Sequence, residues 1–225
     1  MSRLGFNWNA AVTHLSACCP NLEAFIDQFG RQRMRTSDAP DMFTALASAI
    51  AYQQLSGKAA ATIYGRFEGL FPDGRPTPAA TIDLKFEDLR AVGLSRAKAL
   101  SITDLAEKCL SGEVPSRRRL GRMRDKDVIE ALCRVCGIGP WTAQMYLIFD
   151  MGRPDVMPAT DLGVQKGVAA VYGMAELPGP AIVLDRTAHL APYRTAASWY
   201  FWRASDPANC CLLYTSDAAD DEYNV

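Results

Sequence analysis

The sequence predicts an all-α protein. Apolar residues recur at three- and four-residue spacing along most of the 225-residue chain, and runs with the alternating pattern of strands are scarce. The apolar segments are short, and they are separated by glycine, by proline and by the Ser and Asp residues that begin helices. Short helices joined by short connectors favour a globule built from helices alone.

In the first half of the chain, helix-start and helix-stop residues define the elements. Asp41 is a candidate N-cap for MFTALASAIAYQQL, and Ser56 is one for the helix that follows. The turn-rich FPDGRPTP is a break, and FEDLRAVG is a short helix closed by Gly93. Ser95 caps RAKALSITDLAEKCL, which Gly112 closes.

The second half begins with PSRRRLGRMR, which we interpret as a basic connector. Asp125 or Asp127 then opens a helix through VIEALCRVC that ends at Gly137. The remaining predicted elements are a helix over 141–150, a proline-containing loop over 151–160, a helix begun by Asp161, and a final helix, RTAASWYFWRAS, after Pro192.

Composition places the chain among soluble globular proteins. Apolar residues make up 49% and charged residues 22%. No run of eighteen apolar residues suggests a membrane span, and the N-terminus lacks the apolar stretch of a secretory signal. We therefore expect a cytoplasmic location, in the nucleoid of a bacterium or the nucleus of a eukaryote, and no membrane partner.

Cysteine spacing argues against a metal centre. Cys133 and Cys136 form a CxxC within a helical pattern, but no second pair lies at zinc spacing and no four-cysteine cluster follows. The net charge of −1 does not by itself indicate a nucleic-acid binder. The segment 204–225 holds five acidic residues and no Lys or Arg, so the remainder is mildly basic, which permits DNA binding.

A tight turn, CGIGPWTAQMYLIFD over 136–150, joins two predicted helices. Gly137 and Gly139 allow positive φ and close backbone approach, and Pro140 suits the first helical position. The unpaired amides at such a helix start bind anions such as phosphate. A plain packing hairpin between two helices accounts for the local pattern equally well.

Four ordered motifs resemble a known family. They are AIAYQQLSGKAA, GLSRAKALSITDLA, LCRVCGIGPWTAQMYLIFDMGRPDVMPATDLGVQKG and PYRTAASWYFWR. Together they resemble the helix–hairpin–helix DNA glycosylase superfamily, and within it the 3-methyladenine DNA glycosylase II group. The resemblance covers 40–203, with the hairpin at 127–150 and a catalytic loop at 151–161. Residues 1–39 form a weakly matched N-terminal helical segment, and we expect 204–225 to be a disordered tail or an artefact of sequence assembly.

The resemblance implies a two-lobed helical fold with the active site in the cleft between the lobes. In that family the hairpin holds a DNA phosphate, which positions DNA without reading its sequence. The corresponding residues here are Gly137, Ile138, Gly139, Trp141 and Thr142. A structural Na⁺ or K⁺ at the backbone of Cys136 and Ile138 is expected on the same basis, with no other cofactor and no catalytic metal.

Asp161 has two compatible interpretations. As the first residue of a helix it is a favoured N-cap. In the resembling family the aspartate at this position is catalytic, and a carboxylate beside the anomeric carbon stabilises the positive charge that develops when a base leaves deoxyribose. The nearest acidic alternative, Asp155, is interpreted as a solvated loop residue, and Arg194 as one partner of a structural ion pair.

Aromatic residues are candidates for the pocket that receives a flipped base, because an electron-poor alkylated base stacks on electron-rich rings. The resemblance implies Trp141 and Trp202, with Tyr193 and Tyr52 as weaker candidates; Met145 stands where a related member has a tyrosine. Core packing is the alternative role for each tryptophan. Bifunctional members of the superfamily carry a lysine at the position of Trp141, so the resemblance implies an enzyme without lyase activity.

The QQLS junction supplies the side chain that fills the vacated base stack in this family. Gln54 is the expected wedge and Leu55 the second choice. Alternatively, Leu55 is a core residue and both glutamines are surface residues. Arg96 and Lys98 are either phosphate contacts or a solvated helix start.

The function implied is a monofunctional glycosylase that removes alkylated purines of the 3-methyladenine type from double-stranded DNA in base excision repair, acting as a monomer. Two alternatives remain open. One is a DNA-binding module that keeps the hairpin and lacks turnover; the other is a glycosylase for different damaged bases.

Overall fold

The computed structural model describes residues 4–206, and every regular element in that part of the chain is a helix. The all-α prediction is therefore confirmed. None of these helices is both long enough and apolar enough to cross a membrane. The α-helices are α1 Trp8–Cys18, α2 Pro20–Phe29, α3 Met42–Tyr52, α4 Gly57–Glu68, α5 Pro78–Ile82, α6 Phe86–Ala91, α7 Arg96–Ser111, α8 Arg117–Leu120, α9 Asp125–Leu132, α10 Pro140–Met145, α11 Leu162–Tyr172, α12 Pro180–Arg186 and α13 Arg194–Ala204. A π-helical turn at Tyr146–Asp150 follows α10, and a 3₁₀ turn at Ala188–Leu190 follows α12. Most of the acidic tail, residues 207–225, lies outside the described residues.

Three of the four predicted N-caps accept the expected hydrogen bond, whereas Ser56 takes the N-cap position of α4 without a side-chain bond. The Oδ1 atom of Asp41 accepts from the Thr44 amide at 2.9 Å, at the start of α3. The hydroxyl of Ser95 accepts a bond of 3.2 Å at the start of α7, and Oδ1 of Asp161 accepts one of 2.8 Å at the start of α11. Each bond satisfies one of the amides that a helix start leaves unpaired.

Some boundaries differ from the prediction. Helix α9 ends at Leu132 rather than continuing to Gly137, because the amides of Val135 and Ile138 bond three residues back, which closes turns instead of extending a helix. The basic connector contains the short helix α8. The helix predicted over 141–150 changes after Met145 into the π turn, and α5 and α12 each begin at a proline that serves as a first helical residue.

Two compact units make up the chain. The first is continuous and comprises residues 37–146, with helices α3 to α10. Within it α3 packs on α4 and α7, α5 packs on α7, and α9 packs on α10. Its core is formed by fully buried apolar side chains of these helices, among them Leu46, Ile50, Phe67, Ile102, Leu105 and Leu132.

The second unit is assembled from both ends of the described chain, residues 4–36 and 147–206. Helix α11 packs along α13, while α1 contacts α2 and α13. The α11–α13 contact depends on Gly167, because a Cβ there would lie 1.8 Å from the carbonyl oxygen of Phe201. The weakly matched N-terminal segment thus belongs to the same compact unit as the helices α11 and α13.

Candidate active site

The predicted hairpin joins α9 to α10 through residues 133–139, in the first unit. Gly137 has a φ of +82°, and a Cβ at that position would lie 2.3 Å from the Ser101 hydroxyl. Both the left-handed backbone and the lack of space therefore require glycine. The turn is anchored from inside, since the Ile138 side chain is buried.

At the start of α10, Gly139 takes the N-cap position without a side-chain bond, and Pro140 follows as the first helical residue. The side chain of Trp141 is 38% exposed, so it does not belong to the core of its unit. Thr142 is buried, and its hydroxyl lies 3.4 Å from the Gln53 side-chain nitrogen. Met145 ends the helix and is half-buried.

The QQLS junction ends α3 in a left-handed turn. Gln54 has a φ of +56°, the only positive φ of a non-glycine residue among residues 4–206, and it is exposed. This conformation costs an L-residue roughly 1–2 kcal/mol. Leu55 is 40% exposed, which makes the alternative of a core residue wrong.

Gln53 is not the surface residue that the second interpretation required. It is half-buried, and its Nε2 atom donates to the Gly137 carbonyl at 3.0 Å. The predicted wedge junction and the predicted phosphate-binding turn are thus joined directly by one side chain. Tyr52, the last residue of α3, contacts the ring of Tyr64 edge-on at 6.4 Å between centroids, so it packs within the unit.

The alternative that Lys98 belongs to a solvated helix start is wrong. Its ammonium donates to the carbonyls of Ala51 at 2.7 Å and Gln53 at 2.6 Å. Burial lowers the pKa of this amine. Arg96, by contrast, is exposed, as a solvated helix start requires.

The second unit contains the candidate catalytic carboxylate. Oδ1 of Asp161 accepts two hydrogen bonds of 2.8 Å, one from the Val164 amide and one from the Trp202 indole nitrogen. The side chain is half-buried. Two donors on one oxygen fix the orientation of the carboxylate, so the N-cap interaction is compatible with a chemical role.

Trp202 is the main neighbour of that carboxylate. Its ring is half-buried, is stacked on Phe149 with 5.7 Å between centroids, and lies against Gly163. A Cβ on Gly163 would lie 2.8 Å from the indole, so the glycine makes room for the ring. Trp202 is consequently neither a simple core residue nor an isolated surface aromatic.

Tyr193, another candidate for the base pocket, is half-buried and packs against other rings. It precedes α13, and its ring is in contact with those of Phe6 and His14, with centroids 5.9 Å and 5.4 Å away. These contacts describe a residue packed between the N-terminal segment and α13.

The interpretation of Asp155 as a solvated residue is wrong, whereas the ion pair predicted for Arg194 is present. Arg194 donates to both carboxylate oxygens of Asp155 at 2.7 Å, and its amide donates to Oδ1 at 3.2 Å. Burial alone raises the pKa of Asp155, but the hydrogen bonds and charge of Arg194 outweigh it and lower the pKa. Asp155 is thus committed to fastening the loop to α13.

Sequence reasoning missed two residues that support the site, Gln53 and Phe149, and gave Lys98 a different role. Each of the three contacts a predicted functional residue or its loop. Of the two missed residues, only Gln53 carried a signal, through its place beside the expected wedge. Among the described residues, no group of three or more His, Cys, Asp and Glu is arranged to hold a metal ion.

An all-α chain with a Gly-X-Gly-Pro hairpin and a carboxylate capping the helix after a proline-rich loop has the features of the helix–hairpin–helix class of DNA repair proteins. The family model of the HhH-GPD superfamily base excision DNA repair proteins matches residues 47–192, and the chain belongs to this superfamily. It is 37% identical over 201 residues to DNA-3-methyladenine glycosylase 1 of Schizosaccharomyces pombe, a match that covers 88% of each chain.

Solved structures agree with this membership. A 3-methyladenine DNA glycosylase of S. pombe in complex with abasic DNA is similar with a TM-score of 0.79 and 36% identity, covering 92% of this chain and 100% of the other. A DNA-3-methyladenine glycosidase of Bacillus halodurans is similar with a TM-score of 0.80 and 35% identity, covering 88% and 90%. The family resemblance inferred from the four motifs is confirmed.

Proposed function

We propose that this protein is a monofunctional DNA glycosylase that hydrolyses the N-glycosidic bond of alkylated purines of the 3-methyladenine type in double-stranded DNA, as the first step of base excision repair. The observation that carries the proposal is the carboxylate of Asp161, oriented by the amide of Val164 and the indole of Trp202. The membership of the superfamily and the similarity to 3-methyladenine glycosylases support the substrate class.

The proposed chemistry needs one well-oriented negative charge. As the base departs, positive charge develops on the deoxyribose, and a fixed carboxylate stabilises it more effectively than water that must reorganise. The same carboxylate orients or deprotonates the attacking water. Because alkylation makes the purine cationic, the base leaves readily and little acid catalysis of its departure is required.

Reaching the bond requires that the nucleotide be flipped out of the duplex. We propose that the hairpin amides at Gly137, Gly139, Trp141 and Thr142 hold a phosphate of the DNA backbone, while Ile138, whose amide closes a turn on Val135, supports the hairpin from inside. The exposed Gln54 is proposed to fill the vacated stack, with Leu55 beside it. The glycine at 137 supports the first role, since it alone permits the turn. A monovalent cation, Na⁺ or K⁺, at the backbone of Cys136 and Ile138 belongs to the same proposal, because carbonyl oxygens are suitable ligands for such ions.

The flipped base is proposed to contact aromatic side chains. Trp202 is the best supported, because its ring adjoins the carboxylate through a hydrogen bond of 2.8 Å. Trp141 is supported by its exposure. Tyr52 and Tyr193 are weaker candidates because their rings contact other rings, and Met145 is weaker because it has no ring to stack on a base. An electron-rich ring face attracts a cationic base by about 0.5–2 kcal/mol, which favours alkylated purines over normal ones.

The lack of lyase activity is proposed from a single residue. Strand cleavage by this superfamily needs an amine that attacks the sugar, and the corresponding position here is Trp141. We further propose that the protein acts as a monomer, and in the nucleoid or the nucleus, where its DNA substrate lies.

The test is release of free base from methylated duplex DNA by the wild type and by Asp161→Asn, with strand breaks scored before and after alkali. We expect base release by the wild type, breaks only after alkali, and loss of release in the variant. Breaks without alkali would refute the monofunctional proposal. Binding to abasic DNA without release of any base would indicate a binding module instead, and release from oxidised or deaminated DNA alone would indicate a different substrate class.

A further inference from the structure

Helix α7 presents three polar side chains on one stripe, and each contacts one of the two loops to which DNA-contacting roles are assigned above. Lys98, Ser101 and Asp104 follow one another at three-residue spacing, which places them on one face of the helix. Lys98 contacts the QQLS junction, whereas Ser101 and Asp104 contact the hairpin turn.

At the wedge end of the stripe, Lys98 holds the last carbonyls of α3. Its ammonium bonds the oxygens of Ala51 and Gln53, on either side of Tyr52 and immediately before the left-handed Gln54. A cation at a helix C-terminus is favourable, because the unpaired carbonyls there carry partial negative charge. The bonds to these two carbonyls fix where α3 ends and hence where the left-handed turn at Gln54 begins.

At the hairpin end, Asp104 and Ser101 fix the turn. Oδ2 of Asp104 accepts from the Cys136 amide at 2.7 Å and from the Lys108 ammonium at 2.9 Å. The Ser101 hydroxyl occupies the space beside Gly137 that a Cβ would need. Side chains of α7 therefore hold both the QQLS junction and the hairpin turn in place.

The two loops are also joined without the helix. The Gln53 side chain donates to the Gly137 carbonyl, while its own backbone carbonyl accepts from Lys98. Lys98, Gln53 and Gly137 thus form a chain of hydrogen bonds from α7 through the wedge junction to the phosphate-binding turn.

We propose that Lys98 is a positioning residue. Together with Gln53 it holds the wedge residue Gln54 at a fixed distance from the hairpin turn. The proposal rests on the function proposed above, since it assigns a task to the same wedge and hairpin. Two of the three donors of the Lys98 ammonium are directed at carbonyls of the chain, so the role proposed for it is positioning and not phosphate contact. A displaced wedge leaves phosphate binding intact and impairs only the step in which the base leaves the stack, so the effect is on turnover rather than on binding to undamaged DNA.

The experiment removes the ammonium group of Lys98 and keeps most of its aliphatic side chain. Lys98→Met retains the buried methylenes and removes the donors, and Lys98→Arg restores donors to the same place. Lys85→Met is the matched control, because Lys85 is an exposed residue of the same unit. Three quantities are measured on the full chain: single-turnover base release from methylated DNA, affinity for undamaged duplex, and the fluorescence rise of 2-aminopurine stacked against the damaged base, which reports the loss of stacking when that base leaves the duplex.

We expect Lys98→Met to lower base release and the fluorescence rise by about tenfold or more, since displacements of the order of 1 Å away from the chemistry have effects of that size. Its affinity for undamaged duplex stays within about twofold of the wild type, with partial recovery in Lys98→Arg and no change in Lys85→Met. In a Gln54→Ala background, Lys98→Met has no further effect on either quantity, because coupled residues are not additive.

Unchanged base release and fluorescence in Lys98→Met would overturn the proposal. So would a parallel loss of undamaged-duplex affinity, or full additivity with Gln54→Ala, since either result indicates general damage to the unit. If the wild type releases no base from methylated DNA, the proposed function fails, and the fluorescence and affinity measurements still decide whether Lys98 positions the wedge.

Discussion

Substitutions of Asp161 separate its structural role from its chemical one. Asparagine keeps an oxygen that accepts both hydrogen bonds of 2.8 Å, from Val164 and Trp202, and it is as good an N-cap as aspartate. Asp161→Asn therefore lowers the free energy of unfolding by less than about 1 kcal/mol, while it removes the charge that the proposed mechanism uses to stabilise the transition state. Loss of one such electrostatic contact reduces the rate constant roughly 100- to 1,000-fold.

Alanine removes the acceptor as well as the charge. Loss of the cap costs about 1 kcal/mol, and the half-buried Trp202 nitrogen left without this acceptor costs about 1 kcal/mol more. For a chain of this size, 1 kcal/mol corresponds to roughly 2–4 °C in Tm, so Asp161→Ala is expected to melt about 4–8 °C below the wild type. Thermal unfolding followed by circular dichroism and single-turnover base release measure the two effects separately.

Asp41 provides the matched control, because its Oδ1 caps α3 with a bond of 2.9 Å. Asp41→Ala is expected to lose about 1 kcal/mol of stability with no change in base release at temperatures well below its Tm. The reasoning about Asp161 would be refuted if Asp161→Asn kept more than about a tenth of the wild-type rate constant, given the magnitude expected for a catalytic charge. A loss of activity in Asp161→Asn that merely paralleled a large fall in Tm would refute it equally.

Three further predictions concern packing and charge. Gly137→Ala places an alanine with positive φ where the Ser101 hydroxyl already lies, so it is expected to lower the free energy of unfolding by about 1–2 kcal/mol. It is also expected to weaken binding to undamaged duplex, measured by fluorescence anisotropy. Unchanged affinity would contradict the role of the turn. Gly167→Ala places a Cβ 1.8 Å from the Phe201 carbonyl oxygen and is expected to cost about 3 kcal/mol or more in chemical denaturation, whereas a near-neutral result would mean that α11 and α13 separate easily. Arg194 lowers the pKa of Asp155 in the folded protein below its unfolded-state value of about 3.9. The ion pair therefore contributes its full stability above about pH 3.9, and this contribution is lost as the pH falls through the lower, folded-state pKa. The wild type should accordingly be more stable than Arg194→Met at neutral pH and lose that advantage in acid, and a difference that persisted at low pH would exclude the ion pair as its source.

Local signals in the sequence were sufficient for three of the four predicted N-caps, and Ser56 is the exception. Asp41, Ser95 and Asp161 each cap a helix through an amide three residues further on, so everything that determines these caps lies within one turn of the chain. The need for glycine at position 137 is local in the same sense, because it follows from the positive φ of that residue. The family resemblance depended on four motifs in a fixed order along the chain. The match of the family model to residues 47–192 confirms the family.

Contacts between distant segments could not be predicted in this way. Lys98 reaches carbonyls 45 and 47 residues away, and Gln53 bonds a carbonyl 84 residues away. At the level of sequence, a lysine in the first turn of a helix and a glutamine after a helix are ordinary surface residues. Asp155 was misinterpreted for the same reason, since its partner Arg194 lies 39 residues further along.

The composition of the second unit from residues 4–36 and 147–206 has a consequence for the order of folding during synthesis. The first unit is continuous, so it has all its residues as soon as position 146 leaves the ribosome. Helices α1 and α2 are made before it, yet their buried residues Leu15, Leu22 and Ile26 belong to a core that is completed only when α11 and α13 have been made. At roughly 5–20 residues per second, the segment from the end of α2 to the end of α13 takes on the order of 10–35 s to synthesise, and during that time the apolar faces of α1 and α2 lack these partners. The apolar faces of α1 and α2 therefore stay exposed on the nascent chain until α13, the last helix of residues 4–206, has been made.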